Sequence, residues 1–218
     1  MLEFELQRNG NPRTVLLLGA HCDDLEIGCG GTILQMAAKW PNAKFVWVTF
    51  SSGADREAET RLAASELLAG ARDAIIDVRD FRGSYFPHDG EKIKDYFETL
   101  KRHQPDLILT HYRQDLHQDH RVINELTWNT FRNHLVLEYE IPKFDGDLGI
   151  PNMFVPLTKS ELDRKIDILM KCFPSQLHRT WFTRNTFEAL TRLRGVECNA
   201  PEGYAEAFYG RKNRIVFA

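Results

Sequence analysis

The chain has 218 residues, 43% of them hydrophobic and 27% charged, with a formal net charge of −3. That length can bury one substantial core, so a single domain over residues 1–218 is expected, and its lysines and arginines are too scattered to form the basic stripe that nucleic-acid binding requires. The apolar stretches are strand-sized and residues 1–6 are acidic where an export signal would be basic, which argues against membrane spanning and export, while four cysteines without CxxC spacing or disulfide density fit a reducing cytoplasm.

Apolar runs at 15–18, 45–50, 74–78 and 107–109 alternate with helical patterns at 31–39, 55–68, 92–102 and 119–131. This alternation predicts βαβ units and an α/β fold with a parallel sheet. Acidic residues from Asp55 to Glu59 suit the first turn of the second helix, and Gly70 marks its end. Pro105 closes the third helical pattern and opens the fourth strand. Beyond residue 133, 134–139 and 153–155 read as strands around a loop rich in Pro, Gly and Asp from Pro142 to Pro151, and 160–171, 187–194 and 202–209 read as helices. A doubly wound sheet with strand order 3-2-1-4 sets the first and fourth strands side by side, and a crevice opens beyond their carboxyl ends.

Two short runs follow those two strands: Ala20-His21-Cys22-Asp23-Asp24-Leu25-Glu26 and His117-Gln118-Asp119-His120. Imidazole and carboxylate together suit Zn²⁺, and a catalytic zinc usually takes three protein ligands and leaves a position for water. His21, Asp24 and His120 supply such a set, which leaves Asp23 to take a proton from the water. His117 and His120, three residues apart near a helix start, share a face. Asp119 is expected to hold His117 protonated, so that His117 stabilises an oxyanion or delivers a proton to a leaving amine. His111 and Asp115 read either as outer partners that orient the ligands or as loop groups bonding to local backbone. The glycines at 28, 30 and 31 lie beyond three acidic side chains that would repel a pyrophosphate, so they are expected to bring the first helix close to the sheet.

The pattern Ala20-His21-x-Asp23-Asp24-x-Glu26 with His117-x-Asp119-His120 resembles the signature motifs of the PIG-L/LmbE-like family of zinc-dependent N-acetylglucosamine deacetylases. The similarity extends through 28–32, 56–59 and 203–208. The resemblance implies a Rossmann-like three-layer fold with a mainly parallel central sheet, and hydrolysis of the N-acetyl group of an amino sugar or its nucleotide, lipid or glycan conjugate. It implies one Zn²⁺ per chain on His21, Asp24 and His120, with Asp23 as base, His117 as oxyanion or acid partner and Arg56 at the substrate. Cys22 departs from the family's usual proline and puts a thiol beside the ligands, a candidate target for oxidation or inhibitors. Two rival readings of the clustered His and Asp are a two-metal phosphoesterase and a sugar-binding protein that keeps its metal for structure; homo-oligomer formation is left open.

Overall fold

The computed structural model describes Leu6 and residues 14–214, apart from the side chains of Ala54 and Asp55. The acidic start of the chain, Leu6 excepted, and the Asp55 carboxylate in the second helix's first turn therefore lie outside the described residues.

The first described element is β1 (Thr14–His21), followed by α1 (Asp24–Lys39), β2 (Lys44–Ser51), α2 (Ala54–Leu67), β3 (Asp73–Val78), α3 (Gly90–Leu100), β4 (Leu107–His111), α4 (Gln118–Thr130) and β5 (Leu135–Tyr139). The chain closes with β6 (Met153–Leu157), α5 (Lys159–Cys172), α6 (Arg184–Glu197) and β7 (Tyr204–Gly210). Side chains alternate across a strand, so Val15 and Leu17 of β1 enter one core with Leu25 and Ile33 of α1, Leu67 of α2 and Ile166 of α5. Leu16 and Leu18 enter the other, with Ile93 and Phe97 of α3 and Ile123 of α4. Burial on both faces is why these strands read as continuous apolar runs. The result is a three-layer α/β fold, and no helix among the described residues is long and apolar enough to cross a membrane.

The sheet runs β3-β2-β1-β4-β5-β7-β6. Its first five strands are parallel, with the expected 3-2-1-4 order at the start, and β7 is antiparallel to both of its neighbours. One expected element is overturned: residues 202–209 are not helical but supply β7. Ala205, Glu206 and Ala207 are good helix formers, yet this segment fills the slot between β5 and β6, where Ala205 to Tyr209 are all buried.

A second difference explains what β7 does for the site. Helix α1 begins at Asp24 and not at residue 31, and it is broken at Cys29 (φ −148°, ψ 22°). The break frees the N–H groups of Gly31 and Thr32, and both donate to the Glu206 carboxylate, at 2.8 and 2.6 Å. Lys165 neutralises that buried carboxylate at 2.6 Å and also donates to the Ile27 carbonyl. Close approach of α1 to the sheet needs the glycines: a Cβ at Gly28 would lie 2.3 Å from the Tyr139 ring, and one at Gly31 2.6 Å from Leu157.

Candidate metal centre

Pairing of β1 with β4 runs from Val15–Leu107 to Leu17–Leu109, while β1 stays paired with β2 as far as His21–Ser51. The two central strands therefore part over their last residues. The ring of His111, ending β4, fills the fork: its Nε2 accepts the Ala20 N–H at 2.9 Å and lies 3.2 Å from the Tyr139 hydroxyl. A side chain thus replaces the missing strand partner, and the crevice opens above it.

Between β1 and α1, Asp23 has φ 92°, a left-handed conformation that costs a non-glycine residue about 1–3 kcal/mol. Arg56 of α2 pins this turn, donating from Nη2 to the Cys22 carbonyl at 2.6 Å and to Asp23 Oδ2 at 2.9 Å. The expected substrate contact is therefore engaged with Asp23. Next to it, the Asp24 carboxylate accepts the His21 N–H at 2.7 Å, which turns it towards the crevice mouth.

From the other side of the fork, α4 brings His120. Three donors meet: His21 Nδ1 lies 3.3 Å from His120 Nε2 and 3.5 Å from Asp24 Oδ2, and His120 Nε2 lies 3.5 Å from Asp24 Oδ1. Zinc bonds of about 2.0–2.1 Å in a tetrahedron separate the ligand atoms by about 3.3–3.4 Å, so the donor set fits one such ion. Two overlapping groups of candidate ligands share His120, one with His21 and His117 and one with Asp24 and His111. Hydrogen bonding narrows them, because the Nε2 lone pair of His111 is taken by Ala20 and the Nδ1 lone pair of His117 by the Asp119 N–H at 3.2 Å.

Each of the two meeting imidazoles has a carboxylate behind it. His120 Nδ1 is 2.9 Å from Asp115 Oδ2, and His21 Nε2 is 2.9 Å from Asp119 Oδ2. Such carboxylate–histidine pairs fix the tautomer and leave the opposite nitrogen free for a metal. This corrects the expected partnership of Asp119 with His117. The Asp119 carboxylate bonds to His21 and to the N–H groups of Ser84 and Phe86, and only its backbone N–H meets His117, whose ring caps α4. Burial and the neighbouring His21 hold His117 below the ordinary histidine range, the direction opposite to the expected protonation.

The electrostatics separate two adjacent aspartates. Burial raises the Asp23 carboxyl, Arg56 opposes and Asp24 reinforces the shift, and it comes to about 7. Burial acts on Asp24 too, but the imidazoles of His120 and His111 outweigh it and hold that carboxyl well below its ordinary range. Burial and adjacent His111 lower His120 to about 4, so its lone pair is available at neutral pH. Burial would also lower His21, yet hydrogen bonds to Asp119 and Asp24 lift it to about 10. A metal taking its Nδ1 would displace a proton. The Cys22 thiol is fully buried and pushed up to about 12, mainly by burial, which disfavours the thiolate that oxidation or inhibitors would attack.

Sequence reasoning weighed Asp115 and His111 without deciding between their readings, and missed Tyr139, Lys143 and the Ser84 and Phe86 amides. Lys143 Nζ lies 2.9 Å from Asp115 Oδ2. It sits in the 140–152 loop, where nothing in the local pattern marks a cation as turned inward.

Comparison with known proteins adds the family. The family model described as GlcNAc-PI de-N-acetylase (PIG-L) matches residues 16–131, a span that holds His21, Asp23, Asp24, His117 and His120 but not Tyr139 or Lys143. An uncharacterized deacetylase of Escherichia coli, YaiS, is 30% identical over 155 residues, covering 65% of this chain and 82% of the relative. Among solved structures, GalB, the 4-carboxy-2-hydroxymuconate hydratase of Pseudomonas putida, superposes with a TM-score of 0.76 at 17% identity, covering 94% of this chain and 99% of that one. N,N'-diacetylchitobiose deacetylase of Pyrococcus horikoshii superposes with a TM-score of 0.67 at 19% identity, covering 90% and 83%. At such identities the two structures speak for the fold, which carries more than one reaction.

Proposed function

The chain belongs to the PIG-L family of de-N-acetylases, and from that premise we propose that it is a zinc-dependent N-deacetylase that releases acetate from an N-acetylated amino sugar or its conjugate. The observation that carries this reading is the approach of His21 Nδ1, Asp24 and His120 Nε2 to within 3.5 Å of one another, with the raised carboxyl of Asp23 adjacent in the chain.

A zinc ion on those three side chains would polarise the amide carbonyl and acidify water in the crevice. Asp23 does the proton work. With a pKa of about 7 it is partly ionised at neutral pH, so it takes the proton of the attacking water and is then acidic enough to return it. Water oxygen bonds to the carbonyl carbon, the carbon–nitrogen bond breaks, and the amine leaves with the proton that Asp23 held. His117 carries its proton on Nε2, since Nδ1 accepts from the Asp119 N–H. That N–H donates to the carbonyl oxygen as negative charge develops there. Arg56 holds the Asp23 carboxylate in the direction the transfer needs.

An amino sugar is favoured by the family's description and by the diacetylchitobiose enzyme that shares the fold. Metal analysis joined to an acetate-release screen over N-acetyl amino sugars and their conjugates tests the reading. One zinc per chain, acetate and free amine in equal amounts, and loss of both on chelation are expected. A metal-loaded protein that cleaves no N-acyl amide in the panel would overturn it.

A further inference from the structure

On the metal-centre reading above, we propose that Lys143 is a positioning residue whose ammonium, through Asp115, ties the 140–152 loop to His120. One cation thereby sets both the ring of a metal-holding histidine and the wall of the crevice that the loop forms.

Asp115 is the hinge of this arrangement. Its Oδ1 accepts the His117 N–H at 2.8 Å, and its Oδ2 faces both His120 Nδ1 and Lys143 Nζ at 2.9 Å. The same ammonium reaches Asp147 Oδ2 at 2.5 Å, and that oxygen accepts the Leu116 N–H at 2.7 Å. The turn before α4 is thus gripped from the loop at two points. The side chains of Lys143, Asp115 and Asp147 are only 11%, 2% and 5% exposed. Two carboxylates at such burial repel each other, the cation between them offsets that repulsion, and removing it leaves their charges uncompensated.

Apolar packing fixes only the start of this half of the loop, where Ile141 enters the core; beyond it Phe144 is 77% exposed. The far half has its own ties, through Gly149 to the Tyr209 hydroxyl and to Arg194. Past Ile141 the polar bridge through Lys143 ties the loop to the turn before α4, and its inner end is the carboxylate that sets the angle of His120. Partners of this kind behind metal-ligating histidines contribute about 10- to 100-fold to metal affinity.

The test follows zinc transfer from the loaded enzyme to a chromophoric chelator, alongside KM for acetate release. Lys143→Met is expected to speed zinc transfer by about tenfold and to raise KM. Asp147→Asn, which weakens the outer of the two grips but leaves Lys143 on Asp115, is expected to raise KM less than Lys143→Met does, with zinc transfer within about twofold of wild type, and Lys143→Arg to restore both readouts. Should Lys143→Met not fold, Lys143→Gln, which keeps a donor and loses the charge, is read the same way. Unchanged zinc transfer in the Lys143 variant, whatever happens to KM, reduces the residue to a loop contact and overturns the proposal while leaving the deacetylase reading intact. A wild-type protein that holds no zinc removes the premise of both.

Discussion

His21 Nε2 lies 2.9 Å from Asp119 Oδ2, and the same carboxylate accepts the N–H groups of Ser84 and Phe86, at 2.5 and 3.2 Å. One side chain therefore directs the Nδ1 lone pair of His21 into the crevice and anchors the loop between β3 and α3 beside it. An amide cannot accept three such bonds without turning its own NH₂ towards a donor. Asp119→Asn is expected to weaken zinc binding by about 10- to 100-fold and to cost about 1–3 kcal/mol of stability, measured by chelator competition and urea unfolding. If Asp119 acted through His117, the same variant would reshape the pH–rate profile and leave zinc retention untouched.

The second prediction concerns Asp23. A base works only when ionised, so kcat/KM should climb as pH rises through about 7 and then level off. Asp23→Asn should keep its zinc and lose about 10²- to 10⁴-fold in rate, whereas His21→Ala or His120→Ala should lose the metal itself. Equal metal loss in all three would reject this division of labour. Stability gives an independent check. A carboxyl raised from 3.8 to about 7 binds its proton more tightly in the folded state, so its contribution is intact below pH 3.8 and is lost as pH rises towards 7. Asp23→Asn should therefore stabilise the metal-free protein more at pH 8 than at pH 4.

How far the site was legible follows from what each feature depends on. His21, Asp23 and Asp24 stand within four residues at the end of a buried strand, and His117 and His120 stand three apart at a helix start, so local spacing exposes all five. Which carboxylate serves which imidazole depends on how β1 and β4 part after Leu17–Leu109, and no local pattern carries that. The same holds for β7. Ala205-Glu206-Ala207 favours a helix by propensity, but the strand is decided by the vacancy between β5 and β6 and by the Gly31, Thr32 and Lys165 partners of Glu206, all more than 40 residues away.

Arg56, which the family resemblance set at the substrate, is engaged with Asp23. Its guanidinium is 2.9 Å from Asp23 Oδ2, and its charge opposes the rise of that carboxyl. Arg56→Met should move the rising limb of the kcat/KM profile to higher pH, because the ionised form of Asp23 loses its counter-ion. KM should change little. A large rise in KM with the limb unmoved would return Arg56 to the substrate, and Arg56→Lys, which keeps the charge without the fork, should fall between wild type and Arg56→Met in limb position.

Gly28 offers a test of the fold's hold on the site. It precedes the break in α1 at Cys29, and a Cβ there would sit 2.3 Å from Cδ2 of Tyr139. The tyrosine has little room to yield, since its hydroxyl donates to the Leu18 carbonyl at 2.7 Å and lies 3.2 Å from Nε2 of His111 in the fork. Gly28→Ala must therefore push Tyr139 off those partners or lift α1, which carries Asp24. Overpacking of this kind costs about 1–3 kcal/mol, set against the gain of about 1 kcal/mol that alanine brings to a helix interior. The expected net result is a lower urea midpoint together with weaker zinc retention. Gly90→Ala, at the start of α3 with nothing within 4 Å of the added Cβ, should be neutral or stabilising with zinc retention unchanged. If both variants behaved alike, helix propensity alone would account for Gly28, and the contact of α1 with Tyr139 would have no part in holding Asp24 at the crevice.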